Sequence, residues 1–337
     1  MSGAYRRAGV DLEAAAKAVD LIGDLASRAG RPEVREGVGG FAGLFDIGGG
    51  RLLAAAADGV GTKVEIARMT GRLDTVGIDL VAMCADDVAC TGAEPLFFLD
   101  YLATGNLVPE DAAAIVEGIA EGCRRAGCAL LGGETAEHPG VMTERQLDLA
   151  GFCVGVVDDD ELIGPHRVRE VDVLVGLASS GLHANGYSLV RTTLLAQGPR
   201  VLDAVPEGFQ RSLADELLEP TAIYAPLVVS LARAGLVHAA AHVTGGGLPE
   251  NLPRALPGGF GAEIDLRSWP VPPIFELVRT AADVSEDDMF ATFNMGVGMV
   301  LVVPANRADE VIGRAADAGV QAFGIGRVSV GTGLSLR

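Results

Sequence analysis

Short apolar runs alternate with longer amphipathic stretches along the whole chain. The runs have the length and the β-branched content of buried strands, and the stretches carry apolar residues at helical spacing. Strands are predicted at residues 52–57, 96–102, 129–131, 147–157, 171–178, 237–241, 261–266, 298–303 and 321–328. Helices are predicted at residues 77–91, 109–126, 186–196, 221–234, 248–256 and 307–318. Strands and helices interleaved in this way indicate the α/β class.

An acidic, turn-prone segment at residues 158–165 divides the chain of 337 residues almost in half. Each half is long enough for one α/β domain with its own core. The sequence therefore predicts an N-terminal domain over residues 1–165 and a C-terminal domain over residues 166–337.

Composition excludes several classes of protein. The formal net charge of −19 argues against nucleic acid as a partner, because phosphate backbones need a basic surface. No apolar run reaches the ~20 residues of a membrane span, and the N-terminus lacks the apolar core of a signal peptide. The five cysteines include no C-x-x-C pair, so buried free thiols in a reducing cytoplasm are expected. Small anionic substrates stay compatible with the charge, since a local basic pocket can overcome the global field.

The hexapeptide Asp58-Gly59-Val60-Gly61-Thr62-Lys63 follows the predicted strand at residues 52–57 directly. Lys63 and Lys17 are the only lysines among 26 basic residues. An ammonium suits a terminal phosphate, glycines allow a close backbone approach, and a carboxylate suits a hard divalent cation. A metal–phosphate site and a plain glycine-rich turn are both consistent with these six residues. No Walker A loop occurs, and the one loose G-x-G-x-x-A match at residues 37–42 precedes the first strand instead of following it.

The predicted helix at residues 77–91 carries its acids on one side. At 100° per residue, Asp79 and Asp86 nearly eclipse and Asp87 lies ~80° away, opposite an apolar arc. In so acidic a chain, a solvated face is the expected role of this stripe.

Several longer segments, taken together, resemble the aminoimidazole ribonucleotide synthetase (phosphoribosylformylglycinamidine cyclo-ligase) family. The likeness runs in order from about Tyr5 to beyond Val303. Its motifs are GIDLVAMC (77–84), GAEPLFFLDY (92–101), GGETAE (132–137), AGFCVGVV (150–157), SSGLHANGYS (179–188), TGGG (244–247) and FNMGVGM (293–299).

The resemblance implies two α/β domains in a homodimer, with the N-terminal strands of both subunits forming a shared β-barrel and helices flanking the C-terminal sheet. It also implies ATP-dependent closure of formylglycinamidine ribonucleotide to aminoimidazole ribonucleotide in purine synthesis, with Mg²⁺ as the metal. Two alternatives stay open: another phosphotransferase of the same superfamily, such as a thiamine monophosphate kinase, or a nucleotide-binding protein without turnover. A selenophosphate synthetase is disfavoured because it would need a reactive cysteine near the N-terminus, whereas the first one here is Cys84.

The family pattern also implies site residues in this sequence. The implied metal ligands are Asp58, Asp87 and Glu134. The implied nucleotide site adds Gly59, Gly61, Thr62, Lys63 and Gly133. The implied substrate residues are Ser180, His183, Asn185, Gly186, Thr244, Gly245, Gly246 and Asn294. Lys63, His183 and Asp100 are the catalytic candidates, with Lys63 directed at phosphate oxygens and His183 as a proton carrier, because its ordinary pKa suits neutral pH.

This chain departs from the family pattern at two of these motifs. Asp86 stands where Asn commonly precedes the metal-ligand acid, which adds charge beside the expected metal. His138 stands where Met commonly follows the GGETAE segment, and a neutral surface change is the expected consequence.

Overall fold

The computed structural model describes residues 12–337, and it contains two six-stranded sheets. The first sheet contains β1 (Val34–Glu36), β2 (Gly43–Gly48), β3 (Arg51–Gly59), β4 (Glu94–Thr104), β5 (Ala129–Glu137) and β6 (Leu147–Asp158). The second contains β7 (Asp172–Ala178), β8 (Ala239–His242), β9 (Phe260–Ile264), β10 (Val297–Pro304), β11 (Ala322–Val330) and β12 (Gly333–Leu336).

Helices separate most of these strands along the chain. In the N-terminal half they are α1 (Leu12–Ser27), α2 (Lys63–Thr70), α3 (Val76–Ala89) and α4 (Pro109–Ala126). In the C-terminal half they are α5 (Tyr187–Leu194), α6 (Leu213–Leu217), α7 (Ala225–Arg233), α8 (Gly247–Asn251), α9 (Pro273–Ala282), α10 (Glu286–Phe290) and α11 (Ala308–Asp317). The α/β class is therefore confirmed.

The first sheet has the strand order β1-β2-β3-β6-β4-β5 and curls into a half-barrel. Only β4 and β5 run parallel; the other neighbours are antiparallel. Its register places Asp58, Gly151, Asp100 and Gly133 in one row across four adjacent strands. Because directly paired residues point to the same face, the row lies on the inner face with Phe98, which is buried against α3.

Helix α3 fills the space between this sheet and α4, and it also contacts α7 in the C-terminal half. Thirteen of its fourteen residues are buried, among them Asp79 and Asp86. The predicted solvated stripe is therefore wrong. The helical periodicity did place both acids on one face, but the segment 221–225 covers that face.

The second sheet has the order β12-β9-β11-β7-β10-β8 and is antiparallel except at β12 and β9. The neighbouring strands β7 and β10 are buried over nearly their whole length. Helix α11 packs against β7 and β11, in agreement with the expectation of helices beside the C-terminal sheet.

Most predicted elements occur with shifts of a few residues, but the sequence pattern missed several. Strand β5 continues through Gly132 and Gly133 to Glu137, whereas a strand of three residues was predicted. The short strands β1, β2 and β12 and the helices α1, α2, α6, α9 and α10 were not predicted. All five cysteines are free thiols, and only Cys128 is partly exposed. Within residues 12–337, none of the helices has the length and apolar content needed to span a membrane.

Candidate active site

The hexapeptide at residues 58–63 links the end of β3 to the start of α2. Asp58 is the last residue of β3 on the inner face of the sheet, and its Oδ1 accepts the Gly59 N–H at 2.7 Å. Gly61 has φ +63, a left-handed conformation that favours glycine and turns the chain. Thr62 is the N-cap of α2, yet its side chain makes no capping bond, so its hydroxyl is available to other groups.

Lys63 points into the protein. Its side chain is 0 % exposed, and Nζ donates to Asp79 Oδ1 at 2.9 Å and to the carbonyls of His183 at 3.0 Å and Glu219 at 2.7 Å. Burial lowers the pKa of Lys63 and raises that of Asp79, while their mutual attraction opposes both shifts. All three donors of the ammonium are thus used within the chain. The structure gives this lysine partners other than the phosphate oxygens that the resemblance implies.

Two carboxylates of α3 accept hydrogen bonds from residues 221–225 of the C-terminal half. Asp79 Oδ1 also accepts the Thr221 N–H and hydroxyl, at 2.8 and 2.6 Å. Asp86 Oδ1 accepts the backbone N–H groups of Tyr224 and Ala225, at 2.8 and 2.7 Å. Within the described residues, Oδ2 of each acid is buried without a partner. Burial raises the pKa of Asp86 to about 7 despite these bonds.

A second acidic pair, Asp58 and Asp87, lies where β3 ends beside α3. Burial raises the pKa of Asp58 to about 6, and the charge of Asp87 adds to this rise. Asp87 Oδ1 is 2.9 Å from Nδ1 of the buried His242. Burial disfavours the imidazolium of His242, but the hydrogen bond and charge of Asp87 outweigh it and raise the pKa of His242. A hard divalent cation would relieve the repulsion between the two carboxylates.

Glu134 is separated from this pair. It follows Gly133 on β5, three strands from Asp58, so at ~4.8 Å per strand the two positions are roughly 14 Å apart. Successive residues alternate faces, and Glu134 therefore leaves the inner face on which Asp58 lies. Within residues 12–337, His, Cys, Asp and Glu form no group of three that could hold a metal. The three predicted metal ligands are thus not brought together in one protomer; two of them are.

Asp100, a catalytic candidate, lies half-buried on β4, two strands or roughly 10 Å from Asp58. Burial raises its pKa. A Cβ at the paired Gly133 would lie 2.3 Å from Asp100 Oδ1, so glycine is needed there for the carboxylate to fit.

Seven of the eight predicted substrate residues fall on two turns, and the eighth, Asn294, lies just before β10. One turn precedes α5 and the other follows β8, directly after His242. The two turns lie close together, because a Cβ built at Gly245 would be 3.4 Å from Asn185 Oδ1. Asn294 is buried and donates to the Gly181 carbonyl at 3.0 Å, which braces the first turn. Ser180 Oγ donates to the Pro220 carbonyl at 2.6 Å.

His183 is buried within the first turn and has φ +63, unusual for a residue with a side chain. Its Nε2 accepts the Ser180 N–H at 3.2 Å, so in the neutral ring Nδ1 carries the proton. That Nδ1 is buried without a partner within the described residues. Burial lowers the pKa of His183 well below its usual value. His183 thus bonds within the turn through its ring, and its backbone carbonyl accepts a hydrogen bond from Lys63 Nζ.

A cleft of about 880 Å³ is lined by Gly61 and Thr62 of the loop at residues 58–63. Its walls come from α2, from β4, from the loop at residues 138–146, from the start of β6 and from α5. Thr62 Oγ1 is 3.3 Å from Ser188 Oγ, and the Tyr101 hydroxyl is 3.1 Å from His138 Nε2. His138 therefore lies, half-buried, in a wall of the cleft, and the expectation that this change is neutral stays a prediction.

Sequence reasoning missed the basic residues of this cleft, Arg68 and Arg191. One signal was present: Arg191 follows Ser188 by three residues on a predicted helix, so both share a face. The sequence alone did not show that this face of the helix meets the loop at residues 58–63.

Comparison with known proteins matches both halves of the chain to one family. Residues 39–157 match the description "AIR synthase related protein, N-terminal domain", and residues 169–337 match "AIR synthase related protein, C-terminal domain". The chain belongs to the AIR synthase family.

Curated relatives cover nearly the full length. A Myxococcus xanthus protein named phosphoribosylformylglycinamidine cyclo-ligase is 52% identical over 337 residues, covering 99% of this chain and 98% of the relative. A Geobacillus protein of the same name is 49% identical over 339 residues, with the same coverage.

Solved structures share the fold at lower identity. The thiamine-monophosphate kinase of Stenotrophomonas maltophilia aligns with a TM-score of 0.65 and 22% identity, over 92% of this chain and 93% of the kinase. Thermotoga maritima PurL complexed with ADP aligns with a TM-score of 0.61 and 18% identity, over 90% of this chain and 44% of PurL; a further PurL structure is complexed with FGAR. At these identities the alignments show the AIR synthase fold alone.

Proposed function

We propose that the protein catalyses the ATP-dependent ring closure of formylglycinamidine ribonucleotide to aminoimidazole ribonucleotide in purine biosynthesis, releasing ADP and phosphate. The observation that carries this proposal is full-length identity of about 50% to cyclo-ligases, combined with a carboxylate pair that includes Asp58 and a cleft that Gly61 and Thr62 of the same loop line. The family and the cyclo-ligase names support the reaction class, and the complexes of PurL support a nucleotide as ligand.

The chemistry needs activation of a formamide. Its oxygen is a poor leaving group, so transfer of the γ-phosphoryl group of ATP to that oxygen produces an iminophosphate. The ribosyl-bearing nitrogen then forms a bond to the same carbon, the carbon–oxygen bond breaks, phosphate leaves, and the nitrogen loses a proton. Phosphoryl transfer depends mainly on positioning and charge neutralisation. The intermediate hydrolyses readily, so the site must exclude water.

Asp58 and Asp87 fit a magnesium ion, since Mg²⁺ commonly takes one or two carboxylates and fills its other positions with water and substrate phosphate. When bound, the ion supplies charge neutralisation for the phosphoryl group. The raised pKa of Asp58 supports this assignment, because a buried acid beside a second acid is stabilised by a cation. Glu134 joins the pair only if another subunit brings it there.

The other residues act in this proposal as follows. Gly59 and Gly61 let the loop approach the nucleotide, and Lys63 fixes the start of α2 through Asp79 instead of touching phosphate. Asn185 and the turn at residues 244–246 face the substrate. Asp100 is the candidate to accept a proton, because it is a half-buried acid of the inner face that the proposed metal site does not use. His183 positions the first turn.

Two further features belong to the proposal. Apolar residues of the first sheet are exposed, including Phe152 on its outer face at 45 % and Leu96 at 40 %, and a second subunit would cover them. We therefore retain the homodimer. The five free thiols fit a reducing cytoplasm.

The decisive experiment measures phosphate release with purified protein, ATP, Mg²⁺ and formylglycinamidine ribonucleotide, with mass-spectrometric detection of the aminoimidazole product. We expect one phosphate per product and none without ATP. Thiamine monophosphate serves as the alternative substrate. Turnover of thiamine monophosphate would indicate the kinase, and nucleotide binding without any turnover would indicate the non-catalytic alternative.

A further inference from the structure

Among the described residues, the cleft beside Gly61 has one cationic side chain without an acidic partner. Arg68 is paired with Glu65 at 2.8 Å on the same helix. Arg191 forms no ion pair with any side chain in residues 12–337, and its Nε is buried without an acceptor. A buried, unpaired guanidinium N–H is costly, and native structures rarely keep one without a use.

The fold fixes Arg191 at this place. It lies on α5 one turn after Ser188, on the same face of the helix. Ser188 Oγ contacts Thr62 Oγ1 at 3.3 Å, so that face meets the loop at residues 58–63. Leu189 and Val190 are buried and anchor the helix in the core. The guanidinium is thus held by a packed element and not by a mobile loop.

The charges of the cleft favour an anion at Arg191. Asp148 also lines the cleft, but it is exposed to solvent, which screens its charge, and it accepts the Leu149 N–H at 3.0 Å. The Thr62 hydroxyl adds a hydrogen-bond donor, and the N-terminus of α2 adds a partial positive charge. A guanidinium presents two parallel donors, which match two oxygens of a phosphate group. In a chain of net charge −19, such a local cation is what an anionic substrate requires.

We propose that Arg191 is the phosphate-binding residue of this cleft and that Thr62 shares the bound group. The inference rests on the proposed function, because that function supplies two phosphate-bearing substrates. The phosphate belongs either to ATP or to the ribonucleotide, and the chemistry of Arg191 is the same for both. The residue acts by binding and positioning, and it takes no part in proton transfer.

The test compares wild type with Arg191→Gln, Arg191→Lys and the control Arg200→Gln, an exposed arginine outside the cleft. Calorimetry measures the Kd of a non-hydrolysable ATP analogue and, separately, of formylglycinamidine ribonucleotide. We expect Arg191→Gln to weaken one of the two ligands roughly 10–100-fold, the range for a lost charged bidentate contact. Arg191→Lys should recover part of this loss, because it keeps the charge but not the fork, and Arg200→Gln should change neither Kd.

The ligand whose Kd moves identifies the source of the phosphate. Unchanged Kd values for both ligands in Arg191→Gln would overturn the proposal. A similar loss for both ligands together with a lowered melting temperature would also overturn it, because a structural role explains that pattern. Failure of the proposed function looks different: wild type would then release no phosphate in the turnover assay.

Discussion

Replacement of Lys63 distinguishes the role predicted from the sequence from the role that the structure gives it. In Lys63→Met, Asp79 keeps its bonds to Thr221 but loses the one cationic partner that it has among residues 12–337. Within the same residues, its Oδ2 is already buried without a hydrogen-bond partner. Breaking a buried ion pair by removing one member costs about 3–5 kcal/mol. The variant also removes the donor to the His183 and Glu219 carbonyls, which join the two halves of the chain.

The expected loss is large enough to measure by calorimetry. For a cooperative unit of 150–250 residues, about 3–5 kcal/mol corresponds to a fall in Tm of roughly 6–20 °C. Lys17→Met is the matched control, since Lys17 is the other lysine of the chain and is exposed. Lys63→Met combined with Asp79→Asn should recover much of the loss, because the second change removes the uncompensated charge.

A different result would refute this reasoning. If Lys63→Met melts like wild type but loses about 10²–10³-fold in turnover, the ammonium acts on the reacting phosphate, as the sequence alone predicted. Loss of both stability and turnover, with recovery of both in the double variant, would support the positioning role.

Three further predictions concern other parts of the molecule. Asp86→Asn keeps the acceptor for Tyr224 and Ala225 but removes a buried acid whose pKa is raised from 3.8 to about 7. A carboxyl group with a raised pKa lowers the free energy of unfolding increasingly as the pH rises from 3.8 to about 7. In urea unfolding, the free energy of unfolding of the variant should therefore exceed that of wild type by up to about 4 kcal/mol at pH 8 and by nothing near pH 4. A gain independent of pH would contradict this cause. Asp87→Asn should raise the Mg²⁺ concentration for half-maximal turnover, whereas the exposed Asp111→Asn should not; equal magnesium titrations would remove Asp87 from the metal site. Light scattering should show a particle near twice 34.6 kDa that survives high salt. Phe152→Asp should dissociate this dimer, whereas Val330→Asp should not. A wild-type monomer at micromolar concentration would contradict the homodimer.

The sequence by itself determined the α/β class, most strands and helices, and the loop at residues 58–63. These features depend on local periodicity and on turn chemistry, which neighbouring residues decide. The helical spacing of Asp79 and Asp86 was likewise correct, because a fixed rotation per residue places both on one face. The motifs were specific enough to identify the family, as the full-length relatives confirm.

Only the tertiary structure decided what each face meets. Asp79 and Asp86 are buried because residues 221–225, about 140 positions later, supply backbone donors to them, and no local pattern encodes that meeting. Glu134 lies away from Asp58 because β5 continues through Gly132 and Gly133 to Glu137, so that strand spacing and alternation separate the two acids. Arg191 enters the cleft because α5 packs against a loop from the other half of the chain. Periodicity orients a side chain relative to its own element, whereas long-range packing chooses its partner.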